Sequence, residues 1–243
     1  MMALSFNLRG AMAHFRKVFT NSTSLSYYFP PRTTLMGIIA ATMGMERDSY
    51  YSFMDKFDFA VSPITGLRKV MFGETYLDTD EVSEKSLRRL KQGVPTGREF
   101  VLPSGDDFLG YRVVISPSNN LMKENVEEMK KQIEKIKNAL KSPAFPIALG
   151  ASNMLGWVEE LRELECQEME EIDGEVSSVI PSEMKPELRN MRIAIEELVP
   201  RRFDEGRHTG KLSSYLVEID GGKLKVKGKV RGISCNGENF VFL

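Results

Sequence analysis

The most constraining feature of this sequence is a run of apolar residues, Met122, Val126, Met129, Ile133, Ile136 and Leu140, spaced 4, 3, 4, 3 and 4 apart with lysines and glutamates between them. That spacing puts every apolar side chain on one face of a helix over Leu121 to Leu140 and leaves the other face charged. A helix with a single apolar stripe must lie on another layer. The segments around it read as strands, so the pattern predicts a helix laid on a sheet. Ser142-Pro143 ends the helix, and Phe145 to Leu149 predicts a short apolar strand running into Gly150-Ala151-Ser152-Asn153.

Upstream, Ala3 to Phe15 reads as a strand interrupted only by Gly10. The hydroxyl-rich loop Asn21-Ser22-Thr23-Ser24 leads into Tyr27-Tyr28-Phe29-Pro30-Pro31, where the double proline forces extended chain. Thr33 or Thr34 then reads as the N-cap of a helix over Leu35 to Met43, ended at Gly44, with a second short helix over Tyr50 to Phe57. Phe57 to Tyr76 is extended chain broken by Pro63 and Gly66, and Arg98 to Ile115 is a hairpin turning at Ser104-Gly105-Asp106. Between them Leu77 to Gly97 is polar, charged and without apolar periodicity, as expected of a projecting arm.

In order these elements give strand, helix, two strands, helix, strand. The expected class is α+β, a ferredoxin-like (RRM-type) βαββαβ domain with two helices on one face of an antiparallel sheet. Past Met154 the character changes: Trp157 to Met169 fits helix or strand, with Trp157 expected in the core, and Met184 to Asn190 reads as a charged linker. The glycine turns Asp220-Gly221-Gly222 and Asn236-Gly237 separate strands at Tyr215 to Ile219, Leu224 to Ile233 and Phe240 to Leu243. The division expected is a domain over 1–154 and a smaller β-rich module over 155–243.

A chain of 243 residues with 42% hydrophobic content can bury a core without metal or disulfide staples, which excludes disordered and collagen-like classes. Cys166 and Cys235 form no CxxC pair or framework, so a reduced, cytoplasmic setting is expected. The opening residues lack a basic stretch followed by an apolar one, and the best apolar run, Leu35 to Met45, is broken by Gly37, Thr42 and Gly44, so no membrane association is expected. Two histidines 194 positions apart offer no ligand cluster, so no metal or other cofactor is expected, and the phosphate-loop and serine-hydrolase motifs are absent.

The net charge of −1 hides a strong asymmetry. Met1 to Met45 contains no Asp or Glu but has Arg9, Arg16, Lys17 and Arg32. Ser83 to Arg98 carries Lys85, Arg88, Arg89, Lys91 and Arg98 against Glu84, and Glu159 to Glu175 holds nine carboxylates against Arg162. Local potential rather than the total decides what binds, so the chain can present a basic and an acidic surface. His14-Phe15-Arg16-Lys17 and Tyr27-Tyr28-Phe29 set aromatic faces beside cations, the combination used for single-stranded RNA; core packing of Phe15 and Phe29 is the other reading. Gly150 and its small neighbours form either an anion-binding nest or an ordinary strand-ending turn.

The run Ala13-His14-Phe15-Arg16-Lys17, followed by Ser24 to Ala41 with its Tyr27-Tyr28-Phe29-Pro30-Pro31-Arg32-Thr33-Thr34 core, resembles the N-terminal signature of the Cas-five family, RAMP-type subunits of type I CRISPR effector (Cascade) complexes. Arg98 to Pro103 and Pro143 to Ser152 add to the resemblance, although the family often has a basic residue where Ala151 stands. The resemblance implies a ferredoxin-like domain with a thumb at about 77–97 and a variable C-terminal β module. It also implies a non-catalytic RNA-binding subunit in antiviral defence, one that grips the repeat-derived 5′ handle of CRISPR RNA and caps the backbone. The implied partners are that RNA, a Cascade backbone subunit and the large subunit. The RNA-binding residues expected are His14, Arg16, Lys17, Tyr27, Tyr28, Arg32, Arg88, Arg89, Lys91, Arg98, Gly150, Ala151, Ser152 and Asn153. One branch, in type I-C systems, is a metal-independent endoribonuclease with adjacent Lys and His. This sequence has no such pair, which favours subtype I-B or I-A and leaves His14 with Tyr27 or Lys17 as the alternative catalytic set.

Overall fold

Strand β1 (Met2–Gly10) is buried along nearly its whole length because a layer covers each of its faces. Leu4, Phe6 and Leu8 point into the main core, and Ala3 on the opposite face packs with Ala60 and Val114 against Ile233, Phe240 and Phe242. The computed structural model describes residues 1–76, 93–119, 121, 126–187, 190–203, 206 and 208–243. Two very short strands, β2 (Phe15–Arg16) and β3 (Ser26–Tyr27), pair with each other after β1. Helices α1 (Arg32–Thr42) and α2 (Tyr51–Met54) follow, then β4 (Phe57–Pro63). The hairpin β5 (Leu67–Tyr76) and β6 (Val94–Pro103) makes a ten-rung ladder of its own.

Strand β7 (Leu109–Pro117) returns to the main sheet between β1 and β4. Helix α3 (Val126–Lys141) buries Met129, Ile133, Ile136 and Leu140, the predicted stripe; residues 122–125 of the predicted helix lie outside the described ones. After β8 (Ile147–Ala148) comes the 22-residue strand β9 (Leu155–Val176). Strands β10 (Ile180–Pro181), β11 (Ile193–Pro200) and β12 (Leu212–Glu218) form a second sheet in the order β10-β12-β11. The last two, β13 (Leu224–Cys235) and β14 (Glu238–Val241), join the main sheet. That antiparallel sheet has seven strands, in the order β14-β13-β9-β1-β7-β4, with β8 paired to the start of β9.

The sheet curls until its two ends approach: Leu243 N–H, just past β14, donates to Phe59 O of β4 at 2.9 Å. The small side chains Ala3 and Ala60 leave room on the inner face, and register shifts at Ser5/Asn7 of β1 and Lys229/Gly232 of β13 supply the bends. Gly232 is needed where the strands close up, since a Cβ there would stand 2.2 Å from Phe240 O.

Several sequence expectations are corrected. Helix α1 begins at Arg32 with Pro31 as its N-cap, because Pro31 O takes the Thr34 and Leu35 N–H groups, so neither Thr33 nor Thr34 caps it. Residues 104–106 turn the chain but close no hairpin: β6 pairs β5, whereas β7 pairs β1 and β4. The strand expected over 145–149 shrinks to two residues, and β9 takes the place beside β1. The 220–222 turn carries the chain from the second sheet to the main one. The predicted arm over 77–97 falls, for 77–92, outside the described residues, and Val94 to Gly97 belong to β6.

The two cysteines are also paired rather than free. Antiparallel pairing sets Cys235 of β13 opposite Cys166 of β9, and a disulfide joins them. The Cys166 N–H and C=O are both turned to Met1, at 2.8 and 2.7 Å, so the rung toward β13 carries no backbone bonds and its Cα atoms approach to 4.2 Å. Among the described residues no helix is long and apolar enough to cross a membrane.

At the start of α1, Arg32 is buried and fully engaged. Its guanidinium donates to Asp55 Oδ1, Arg201 O and Phe57 O, each at 3.0 Å, and lies 5.6 Å from the Phe59 ring centroid. It thereby ties α1 to α2, to β4 and to the chain leaving β11. Removing one partner of a buried ion pair leaves the other charge uncompensated, so Arg32→Ala is expected to lower the unfolding free energy by about 3 kcal/mol. Arg32→Lys should recover only part of it, because an ammonium cannot reproduce the planar fork. Urea unfolding measures both, and a loss below about 1 kcal/mol for the alanine variant would contradict this role.

Candidate nucleic-acid interface

Three stretches of chain converge on His14. Ala13 exchanges both backbone bonds with Val101 of β6, at 3.0 and 2.8 Å, and His14 N–H donates to Leu149 O at 3.0 Å. On the other side Ser24 N–H donates to Gly97 O at 2.8 Å and Glu99 N–H donates to Ser24 O at 2.9 Å. The start of β2, the loop into β3, the hairpin strand β6 and the turn after β8 are thus bonded into one wall. Gly150 in that turn has φ +100°, and a Cβ would stand 1.9 Å from His14 O, so only glycine lets the turn seat there.

The wall encloses a cavity of about 380 Å³ lined by His14, Phe15, Arg16, Ser24, Thr34, Tyr76, Arg98 and Gly150. A second cleft shares Arg16, Thr34 and Gly150 with it and runs past the start of α1 to Tyr50, Pro146 and Phe203. Together they form one groove. The register of the hairpin puts Phe72 opposite Arg98 and Tyr76 opposite Val94, so Phe72, Tyr76 and Arg98 share a face. Phe72 is 48% exposed and Tyr76 45%, while Phe100 beneath them holds Phe72 edge-on at 5.2 Å and Arg98 at 5.5 Å.

Within the cavity His14 is buried, with Nδ1 2.7 Å from Glu99 O and Nε2 2.9 Å from Ser24 Oγ. Burial, aided by Arg98 and Arg16, holds its pKa below the usual histidine value, which favours the neutral ring. Glu74 accepts the Tyr76 hydroxyl at 2.6 Å and a long 3.4 Å bond from Arg98; these hold its carboxyl below the usual range. Arg98 is therefore partly neutralised, whereas the exposed Arg16 bonds only to a carbonyl, Thr20 O at 2.9 Å, among the contacts described.

Of the residues expected to meet RNA, the cavity brings together His14, Arg16, Arg98 and Gly150. Ser152 and Asn153 are exposed in the same turn, and Ala151 is half-buried against the core. Others face inward. Tyr27 is fully buried and its hydroxyl donates to Leu198 O at 2.7 Å; burial pushes its pKa up to about 12. Arg32 is the structural hub described above. Lys17 pairs at 2.5 Å with Glu196 of β11, a buried carboxylate that also takes Lys69 Nζ at 2.8 Å and Tyr28 N–H at 2.9 Å. Tyr28 is half-buried beneath Lys69, whose Nζ lies 4.2 Å from the ring centroid. Arg88, Arg89 and Lys91 lie outside the described residues.

The alternative catalytic set does not converge, because Tyr27 bonds to β11 and Lys17 to Glu196, while both His14 nitrogens are engaged elsewhere. Sequence reasoning missed Ser24 and Tyr76 as groove residues and Phe72 as the exposed ring beside them, and Trp157, expected in the core, is 37% exposed and packed edge-on against Phe108. Ser24 was signalled by the hydroxyl-rich loop and by its place at the start of the Ser24 to Ala41 run; the other two depended on the hairpin register.

The family model described as CRISPR-associated protein (Cas_Cas5) matches residues 3–107. The fold is similar to that of a CRISPR protein from Archaeoglobus fulgidus, with a TM-score of 0.57 at 13% identity over 100% of this chain and 99% of that one. It is also similar to a chain of a CRISPR RNA-guided surveillance complex, with a TM-score of 0.52 at 14% identity over 93% of this chain and 91% of that one. No curated protein matches the chain. The matched residues, under half of the chain, span β1 to β6 and so include the loop and hairpin walls of the groove, and over its whole length the chain shares the fold of the CRISPR protein.

Proposed function

We propose that this chain is a non-catalytic RNA-binding subunit of a type I Cascade complex in cytoplasmic antiviral defence, of subtype I-B or I-A. In this reading it grips the repeat-derived 5′ handle of CRISPR RNA and caps the backbone, with a backbone subunit and the large subunit as its protein partners. The observation that carries the reading is the groove itself. Two arginines, Tyr76 and a glycine turn line one continuous concavity, and the exposed Phe72 lies on the same hairpin face beside it, the features single-stranded RNA needs for phosphate contact and stacking. The strand order β9-β1-β7-β4 supports a ferredoxin-like core whose fourth strand is the first half of β9, so in this proposal the boundary expected at 154/155 falls where one long strand begins to serve both the core and the C-terminal module.

If the groove tracks the RNA backbone, Arg16→Ala and Arg98→Ala should each weaken handle-RNA binding and flatten the dependence of log K on log salt by about 0.7. Lys17→Ala should leave that slope unchanged and instead lower the urea midpoint, because its partner is the buried Glu196. Equal slopes for all four proteins, wild type included, would place the RNA elsewhere. In a separate assay, repeat RNA incubated with the purified chain, with and without EDTA, is expected to stay intact. Site-specific cleavage lost in His14→Ala would make the chain an endoribonuclease instead.

A further inference from the structure

We infer that the cavity at His14 is a ribose site in which Ser24 Oγ accepts a hydrogen bond from the 2′-hydroxyl of one RNA nucleotide, so that the groove selects RNA over DNA at that position. The inference rests on the RNA-binding reading above and adds to it the sugar contact and the residue that makes it.

The argument is one of proton placement. The Glu99 carbonyl can only accept, so the 2.7 Å contact fixes the proton on His14 Nδ1. In the neutral ring Nε2 then carries a lone pair, and the only proton available for the 2.9 Å contact with Ser24 is the serine hydroxyl's. Burial lowers the histidine pKa and so favours the neutral ring, and Arg98 and Arg16 beside it act in the same direction; the bond to the Glu99 carbonyl and, less strongly, Glu74 oppose them without reversing the shift. Ser24 has therefore committed its only donor to His14, and what its half-buried oxygen offers the cavity is lone pairs alone.

Such an oxygen repels a phosphate and has nothing to donate to a sugar ring oxygen. It suits a ligand hydroxyl that brings its own proton. A ribose 2′-hydroxyl does so, and deoxyribose has none. Arg16 and Arg98 line the same cavity and supply the cations for the flanking phosphates. Backbone bonds from Ser24 N–H to Gly97 O and from Glu99 N–H to Ser24 O fix the serine against β6, so the acceptor is held in place before RNA arrives. His14 is a positioning residue here: it acts only through the serine.

The test uses the full chain and a single-stranded RNA of the repeat-derived 5′ handle sequence, with a 2′-fluoro group placed at one nucleotide at a time. Fluorine keeps the ribose pucker and approximate size but brings no proton. One position is expected to lose about fivefold in affinity, the scale of a single net hydrogen bond. At that position 2′-deoxy should lose as much. In Ser24→Ala, and in His14→Ala, which frees the serine proton, that position should lose less than twofold when fluorinated, a ratio that a general loss of stability does not change. If wild-type protein binds the unmodified RNA but no single fluoro position costs twofold, the ribose site is refuted and the RNA-binding reading stands. If the penalty is the same in wild type and Ser24→Ala, Ser24 is not the acceptor and the inference fails. If unmodified RNA does not bind at all, the underlying reading fails and the inference with it.

Discussion

The structure depends on the double pairing of β9. Its first half, Gly156 to Glu165, pairs with β1 on one edge, and its second half, Cys166 to Val176, pairs with β13 on the other. The handover falls at Cys166, whose backbone groups bond to Met1 while its side chain is joined to Cys235. A slip of one residue would turn every side chain of β9 to the opposite face, so this fixed rung sets the register for both halves. The site inherits that register. β8 hangs on the first two residues of β9, and the turn between them holds Leu149 and Gly150 against His14.

The same pairing sorts the charge. Lys225, Lys227 and Lys229 of β13 stand opposite Glu175, Asp173 and Glu171 of β9, and Lys137 of α3 reaches Glu163 at 2.6 Å. Lys227 pairs with Asp173 at 2.6 Å, so part of the acidic block is answered by lysines away from the groove, in solvent-exposed pairs that contribute little stability individually. The groove keeps its own cations. A net charge of −1 thus describes neither surface, because the cancelling charges are on different parts of the molecule.

What was legible in the sequence is what local periodicity determines. The stripe of α3 is buried as its spacing requires, and the stretches around β1 and β7 read as extended chain, although the strand expected over 3–15 ends at Gly10 and resumes only as the two-residue β2. Pairing partners were not legible, since a turn such as 104–106 looks the same whether it closes a hairpin or passes between sheets. The cysteines were misread for that reason: 69 residues separate them in the chain, and only the β9–β13 ladder brings them together. In the site, residue type pointed to His14, Arg16, Arg98 and Gly150, which the fold brings together in one cavity. It could not tell these from Tyr27, Lys17 and Arg32, which have the same chemistry but are held inward by Leu198, Glu196 and Asp55, contributed by distant segments. Tyr76 in the groove and Phe72 beside it became legible only once the β5–β6 register placed them on the face of Arg98.

The central claim is that RNA lies along the groove between the hairpin, the His14 wall and the Gly150 turn. Photo-crosslinking of the intact chain to handle RNA carrying 4-thiouridine, followed by peptide mapping, tests it most directly. The account predicts crosslinks in peptides holding residues 14–16, 24, 72–76, 98 and 148–153. Crosslinks confined to the exposed face of β9, or to the second sheet, with none of those peptides labelled, would contradict it.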